Sequence, residues 1–419
     1  MLNLKSFVRS LTGLSALSVG SAFATYLLIA IVARTLGSDE FGQFTFVWSL
    51  IYTFSGSIFA AAEPEMTRAI VNQQWRHGRQ VAITSFSLVI LLFLGVVFLA
   101  VLHVSTPTQG YVPIFISVFV IAAMLVQVIA RASLAASSRR LAYGTVSIFD
   151  ALLRLLLITT VLISGINETV TIFFILIMTS SFLVAIAVCK STYSDIKKIL
   201  IEPNNSSLKQ TNQRFNLVHL LVSAIAMTGF ISGIPLAASI FTNITTKEIG
   251  VLSAALIVAR VPMLLVMGFE SVLVQEFHGR VSSKEIAKKT AFYLLGISLV
   301  LGALGLFFGR IVGPGLVQLV AGADYQIPAT QMSFLCCSMG LIIGSSFLTP
   351  LCIALNRHKG VSRSWVTSFL LFLLLVSING DSSLYISQAL ASTMFVCAGL
   401  LFWSSIKEDH SFRKEVPLV

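Results

Sequence analysis

Residues 11–33 read LTGLSALSVGSAFATYLLIAIVA, a run without a single charge. A helix needs about 20 such residues to cross the roughly 30 Å hydrocarbon layer of a bilayer. Arg34 closes the run, SDEFG follows at 38–42, and a second apolar run begins at once over 41–62. The same pattern continues down the chain. Apolar segments fall at about 11–33, 41–62, 81–102, 111–130, 141–164, 169–189, 217–241, 247–268, 289–309, 329–352, 364–378 and 384–405. The eleventh is short unless its flanks join it. The alternation over about ten residues that marks barrel strands is absent.

Composition agrees. Of 419 residues, 56% are hydrophobic and 11% charged, against about 25% charged in an average soluble domain. Mean hydropathy is +0.92. Such a chain cannot clothe a soluble fold in polar groups, which excludes soluble enzymes, secreted disulfide scaffolds and disordered chains. The fold class expected is an all-α integral membrane protein, with about twelve transmembrane helices in two six-helix lobes around a central cavity.

The net charge of +11 arises from basic residues in short runs between apolar segments, which points to topology rather than to nucleic acid. With the N-terminus in the cytoplasm, 23 of 28 Lys and Arg fall in cytoplasmic stretches. Arg34, Lys247 and Arg310 fall in outer loops, and Arg154 and Arg260 inside spans. This bias predicts cytoplasmic termini on both sides of the chain. Lys5 and Arg9 before the first run resemble a signal peptide, but the run is too long for one and reads as a retained helix.

The longest connector lies at 190–214, polar and carrying Pro203. It divides the chain into an N-terminal lobe at 1–189, a linker at 190–216, a C-terminal lobe at 217–405 and a cytoplasmic tail at 406–419. The lobes repeat: SDEFG at 38–42 matches TKEIG at 246–250, with Glu40 on Glu248 and Gly42 on Gly250 at one offset of 208. Both lobes start from the same side, so the repeat is parallel, about an axis along the membrane normal.

No nucleotide, metalloprotease or hydrolase motif occurs. Cys189, Cys336, Cys337, Cys352 and Cys397 lie in or at the ends of apolar segments, without metal spacing, and read as small buried hydrophobes. The expectation is therefore not an enzyme: no catalytic residue, metal or cofactor. Charges within spans are the remaining clue, because each costs at least ~2.5–3.5 kcal/mol to place at mid-bilayer.

Arg260 lies well inside the eighth span, two residues before Pro262. It reads as a cationic contact for an anionic substrate in a central cavity, or as half of a packing ion pair. Arg154 has Asp150 four residues earlier, on one helical face. The two form a structural pair, or a cavity site in which Arg154 meets substrate and Asp150 binds a coupling ion. Arg34 anchors at the interface or stands at the outer mouth, as a third substrate-contact candidate. Glu63 and Glu65 flank Pro64 at the inner end of the second span, and Glu270 and Glu276 stand at the inner end of the eighth. They are solvated, or gate by pairing with Arg68 or Arg280. His219 reads as a hydrogen-bonded core histidine.

The opening GLSALSVGSAFATYLLIAIVARTLGSDEFGQFTFVWSL (13–50), with SLAASSRRLAYG (133–144), ARVPML (259–264) and AGADYQIPA (321–329), resembles the Wzx-type O-antigen and polysaccharide flippases. Those belong to the multidrug/oligosaccharidyl-lipid/polysaccharide exporter superfamily. The resemblance implies alternating access in the bacterial inner membrane. Its implied substrate is an undecaprenyl-diphosphate-linked oligosaccharide, turned to the outer leaflet with Arg34 and Arg260 in the cavity. Implied partners are that substrate, membrane lipids, and a polysaccharide polymerase and chain-length regulator, with no nucleic acid and a monomeric state. Competing readings are a multidrug or small-molecule exporter of the same superfamily, and a membrane enzyme of polysaccharide assembly, which the short outer loops disfavour.

Overall fold

The computed structural model describes residues 4–71, 73, 75–103, 112–137, 139–165, 169–194, 196–197, 211–266, 277, 284–355, 357–379 and 382–407. Regular structure among them is helical throughout. The first half carries α1 (Leu4–Val71), α2 (Trp75–His103), α3 (Val112–Ala136), α4 (Arg140–Ile163) and α5 (Val170–Ser191). The second carries α6 (Thr211–Ser232), α7 (Ile234–Phe241), α8 (Thr246–Val266), α9 (Lys284–Ile311), α10 (Gly313–Ala321), α11 (Ala329–Ala354), α12 (His358–Asn379) and α13 (Ser383–Ile406).

These helices make twelve crossings. Among the described residues, nine helices are long and apolar enough to span a membrane, and ten when α6 and α7, bent by 85°, count as one. That count takes α1 once, although its 68 residues would reach about 100 Å if straight. The turn is at Gly37, with φ 72 and ψ 174, a backbone state that only glycine adopts freely. Residues on both sides of Gly37 touch one segment: Arg34 meets Leu319 and Val320, and Phe41 packs edge-on against Tyr325. The twelfth crossing is α8, whose Lys247, Glu248 and Arg260 lower its apolarity. The short eleventh apolar segment is extended by its flank into α12, which starts at His358.

With twelve crossings, the start of α1 and the end of α13 come to one face, called here the terminal face; the Gly37 turn and α10 lie on the opposite, distal face. Large apolar side chains cover the outside, among them Leu91, Phe98, Phe115, Ile163 and Phe307. In water that surface would be an aggregation site; against lipid tails it is the solvated surface. The interior is joined by close packing instead. Phe41, Phe44, Trp48 and Tyr52 stack in sequence up one side of α1, with centroids 6.0, 5.5 and 4.2 Å apart. In the second half, Phe230 packs against Trp365, Phe369 and Phe372. The buried Ser and Thr hydroxyls mostly bond carbonyls of their own helix, as Ser55 does to Ile51 (2.7 Å), so they cost little inside the bilayer.

Candidate functional site

The two halves meet at the distal face along a line that follows the internal repeat. Thr245 opens α8. Its backbone N–H and hydroxyl donate to Glu248 Oε2 (2.8 and 3.0 Å), while the Glu248 N–H donates back to Thr245 Oγ1 (3.3 Å). This capping box fixes the first turn of α8, which packs beside α1. A methyl group built on Gly42 would overlap the carbonyl of Thr246, and one on Gly250 would overlap that of Ser38. These two contacts are the same contact taken twice, since 246 and 38 also differ by 208. One turn further in, the hydroxyls of Thr45 and Ser253, again 208 apart, lie 3.0 Å from each other. Thr246 Oγ1 donates to Asp39 Oδ1. The seam continues to mid-bilayer, where Ser57 and Thr228 hydroxyls lie 2.8 Å apart.

Arg34 belongs to this seam. Its Nε donates to the carbonyl of Val320 (2.9 Å) and its Nη2 to that of Leu319. These are the exposed acceptors at the C-terminal end of α10, where a cation is favoured. Tyr325 reciprocates by donating to the carbonyl of Ala33 (2.7 Å), and burial pushes its phenol pKa up. Arg34 thus ties the halves together at the distal mouth.

Inside the first half runs a polar column. Tyr143, Ser147, Asp150 and Arg154 are spaced four, three and four apart, one stripe of α4. Arg154 donates to Asp150 Oδ2, to the Tyr52 hydroxyl and to Ser181 Oγ (3.2 Å). Above Ser147 stands Arg131 of α3. It donates to Ser147 Oγ (2.6 Å) and the Tyr143 hydroxyl (2.7 Å), lies 3.1 Å from Glu63 Oε2, and covers the rings of Phe59 and Tyr143. Two guanidinium–carboxylate pairs, the Arg154 pair buried and the Arg131 pair partly so, therefore lie along one face of α4.

Arg131 was not legible as a site residue. The apolar run of the fourth span ends at 130, which put Arg131 among the cytoplasmic basic residues, but α3 continues to Ala136. Glu63, read as solvated or gating, is 6% exposed and paired within its own half. Glu65 stands 3.6 Å from His77 and 3.7 Å from Arg68; Arg68 is mostly exposed, so that pair contributes little. The carbonyl of His219 accepts from Ser362 (3.3 Å). Glu270, Glu276 and Arg280 lie outside the described residues, as does most of the 190–216 linker and the tail beyond 407.

Arg260 stands apart from these pairs. It lies on the stripe of α8 that holds Thr246, Gly250 and Ser253, about 10 Å further along the helix than Ser253, and so turns toward α1. Its Nε and Nη2 are sealed from solvent and have no hydrogen-bond partner among the described residues. The charge is felt by the hydroxyl of Tyr26 in α1. Of the expected substrate contacts, the structure thus separates Arg34 at the distal seam, Arg154 in the first-half column and Arg260 at the boundary between halves.

Solved structures share this fold. The inward-facing conformation of a multidrug resistance MATE family transporter of the MOP superfamily aligns over 93% of both chains, with TM-score 0.61 and 12% identity. The MATE fold is this chain's fold. An outward-facing conformation of such a transporter aligns over 94% of each chain with TM-score 0.57 and 11% identity. A MOP superfamily transporter from Pyrococcus furiosus, described by a binding pocket of reversed polarity that suggests a different function, aligns with TM-score 0.58 and 12% identity over 94% of each chain. No family model matches the sequence, and no curated protein matches it.

Proposed function

We propose that the protein is a flippase that turns an undecaprenyl-diphosphate-linked oligosaccharide from the cytoplasmic to the outer leaflet of a bacterial inner membrane by alternating access. The observation that carries this reading is Arg260: a guanidinium on the boundary of the two halves, with two buried nitrogens lacking a partner among the described residues. A guanidinium so placed favours a bidentate anion, and a diphosphate supplies one. The resemblance of the opening residues to polysaccharide flippases supports the same substrate. The basic-residue bias supports cytoplasmic termini, which makes the distal face the outward one. Asp150, whose Oδ1 lacks a hydrogen-bond partner among the described residues, is the proposed coupling carboxylate, and Glu65 with Glu270 the proposed inner gate. A polymerase and a chain-length regulator are the proposed neighbours in the membrane.

A second reading, a multidrug or small-molecule exporter, is favoured by the multidrug resistance role described for a transporter that shares the fold. One experiment separates the two. The purified protein is reconstituted in liposomes with a fluorescent lipid-diphosphate trisaccharide or with a cationic dye. The expected result is saccharide flipping without dye transport. Arg260→Ala should slow flipping about tenfold or more, the scale of a lost charge-assisted bond. Arg260→Lys should fall between, keeping charge without the fork. Dye transport alone, or full flipping by Arg260→Ala, would reject the proposal.

A further inference from the structure

Two helical stretches end at the distal face on glycines of positive φ, and each end is closed by a donor from the other half. The first stretch of α1 stops at Gly37 (φ 72) and α10 stops at Gly322 (φ 115). A helix end leaves its last carbonyls without amide partners. The Gly322 N–H returns one bond to α10, to the carbonyl of Gln318 (2.9 Å), which leaves those of Leu319 and Val320 to other donors. Arg34 of α1 reaches both, through Nη2 and Nε. In the opposite direction Tyr325, three residues past Gly322, donates to the carbonyl of Ala33 (2.7 Å), in the last turn before Gly37.

This exchange differs from the other polar contacts along the seam. Thr45 and Ser253 meet as hydroxyls, as do Ser57 and Thr228, but each of the four also bonds a carbonyl of its own helix. Those hydroxyls keep a partner when the halves part. The side-chain bonds of Arg34 and Tyr325 all cross the boundary. Tyr325 is moreover 1% exposed and packs edge-on against Phe41 at 5.8 Å. The α10 end of the contact belongs to the second half, where Val317 and Ala321 are buried while Val312, Leu316 and Leu319 are exposed on the apolar outer surface. A motion that separates the halves at the distal face must therefore break all three bonds.

We propose that Arg34 and Tyr325 form a two-way latch that sets how readily the distal seam opens. The glycine crossing lets the helices approach; the latch supplies the directional bonds that favour the closed state, and losing them shifts the equilibrium toward the open one. This inference goes beyond the flippase reading and does not depend on the cargo.

The test uses the full chain in lipid nanodiscs, with the five native cysteines replaced by alanine and Ser253→Cys as the reporter. Ser253 is 2% exposed, so a membrane-impermeant thiosulfonate modifies this position only when the seam opens, and the rate follows the open fraction. Arg34→Met should raise the rate about tenfold, the scale of a lost charge-assisted bond, and Tyr325→Phe about fivefold, that of a neutral one. Arg34→Lys should fall between wild type and Arg34→Met, because one ammonium keeps charge without the fork. Arg310→Met, which removes an exposed cation of the same face, should leave the rate unchanged. A Ser180→Cys reporter, buried within the first half, should react no faster in either latch variant. Rates unchanged by both Arg34→Met and Tyr325→Phe, an equal rise with Arg310→Met, or an equal rise at Ser180→Cys would each overturn the proposal. The readout needs no transport, so failure of the flippase reading leaves it interpretable.

Discussion

Arg154→Met is expected to lower the stability of the folded protein by about 3–5 kcal/mol, the cost of leaving a buried charge without its partner. Asp150 is 9% exposed and Arg154 4%, so water cannot substitute for the missing guanidinium. The Tyr52 hydroxyl and Ser181 Oγ lose the same donor. Removing both charges, in Asp150→Leu/Arg154→Met, should bring stability back to about the wild-type level, because apolar replacements of a buried pair are often neutral. The thermal unfolding midpoint in detergent reads both effects. A single variant as stable as wild type would show that the pair carries no weight in the fold. The double variant then decides the role of Asp150. If the proposed flipping is retained at normal stability the column is structural, and if it is lost at normal stability Asp150 is part of the coupling.

Gly42→Leu should open the distal seam. The added side chain has no room against the Thr246 carbonyl. Overpacking of this kind costs about 2 kcal/mol, or roughly a 30-fold shift away from the closed state. Gly250→Leu should do the same, since its methyl would meet the Ser38 carbonyl. The readout is cross-linking in the Thr45→Cys/Ser253→Cys background, where the wild-type hydroxyls are 3.0 Å apart. The disulfide should form with glycine at both positions and fail with leucine at either. Gly95→Leu is the control, because nothing lies within 4 Å of its would-be side chain. Equal cross-linking in all variants would mean that the crossing does not control the seam. A protein locked open on the distal side should also stop flipping.

Much of this architecture is local in origin and was legible before any coordinates. The partition of 11–33 or 169–189 into a bilayer depends on the apolarity of that stretch alone, so the twelve crossings and the two halves follow from reading along the chain. The SDEFG and TKEIG repeat was legible for a related reason. Two like segments at one offset fold alike, and the structure brings Gly42 and Gly250 into contact on that offset. Tertiary structure decided the rest. A helix that is apolar all round has no polar face to declare which side turns inward, and lipid tails are as apolar as the interior. Neighbour choice therefore falls to shape and to a few polar contacts between helices. Hence Glu63 found Arg131 of α3 rather than Arg68, its near neighbour in sequence, and Arg34 found the carbonyl end of α10, a helix that spans no membrane. Arg260 was marked by the sequence as an uncompensated charge. That it stands on the stripe of α8 turned toward α1, without a partner among the described residues, only the packing of two halves could establish, because the pairing of a buried charge is settled by every helix around it and not by its own.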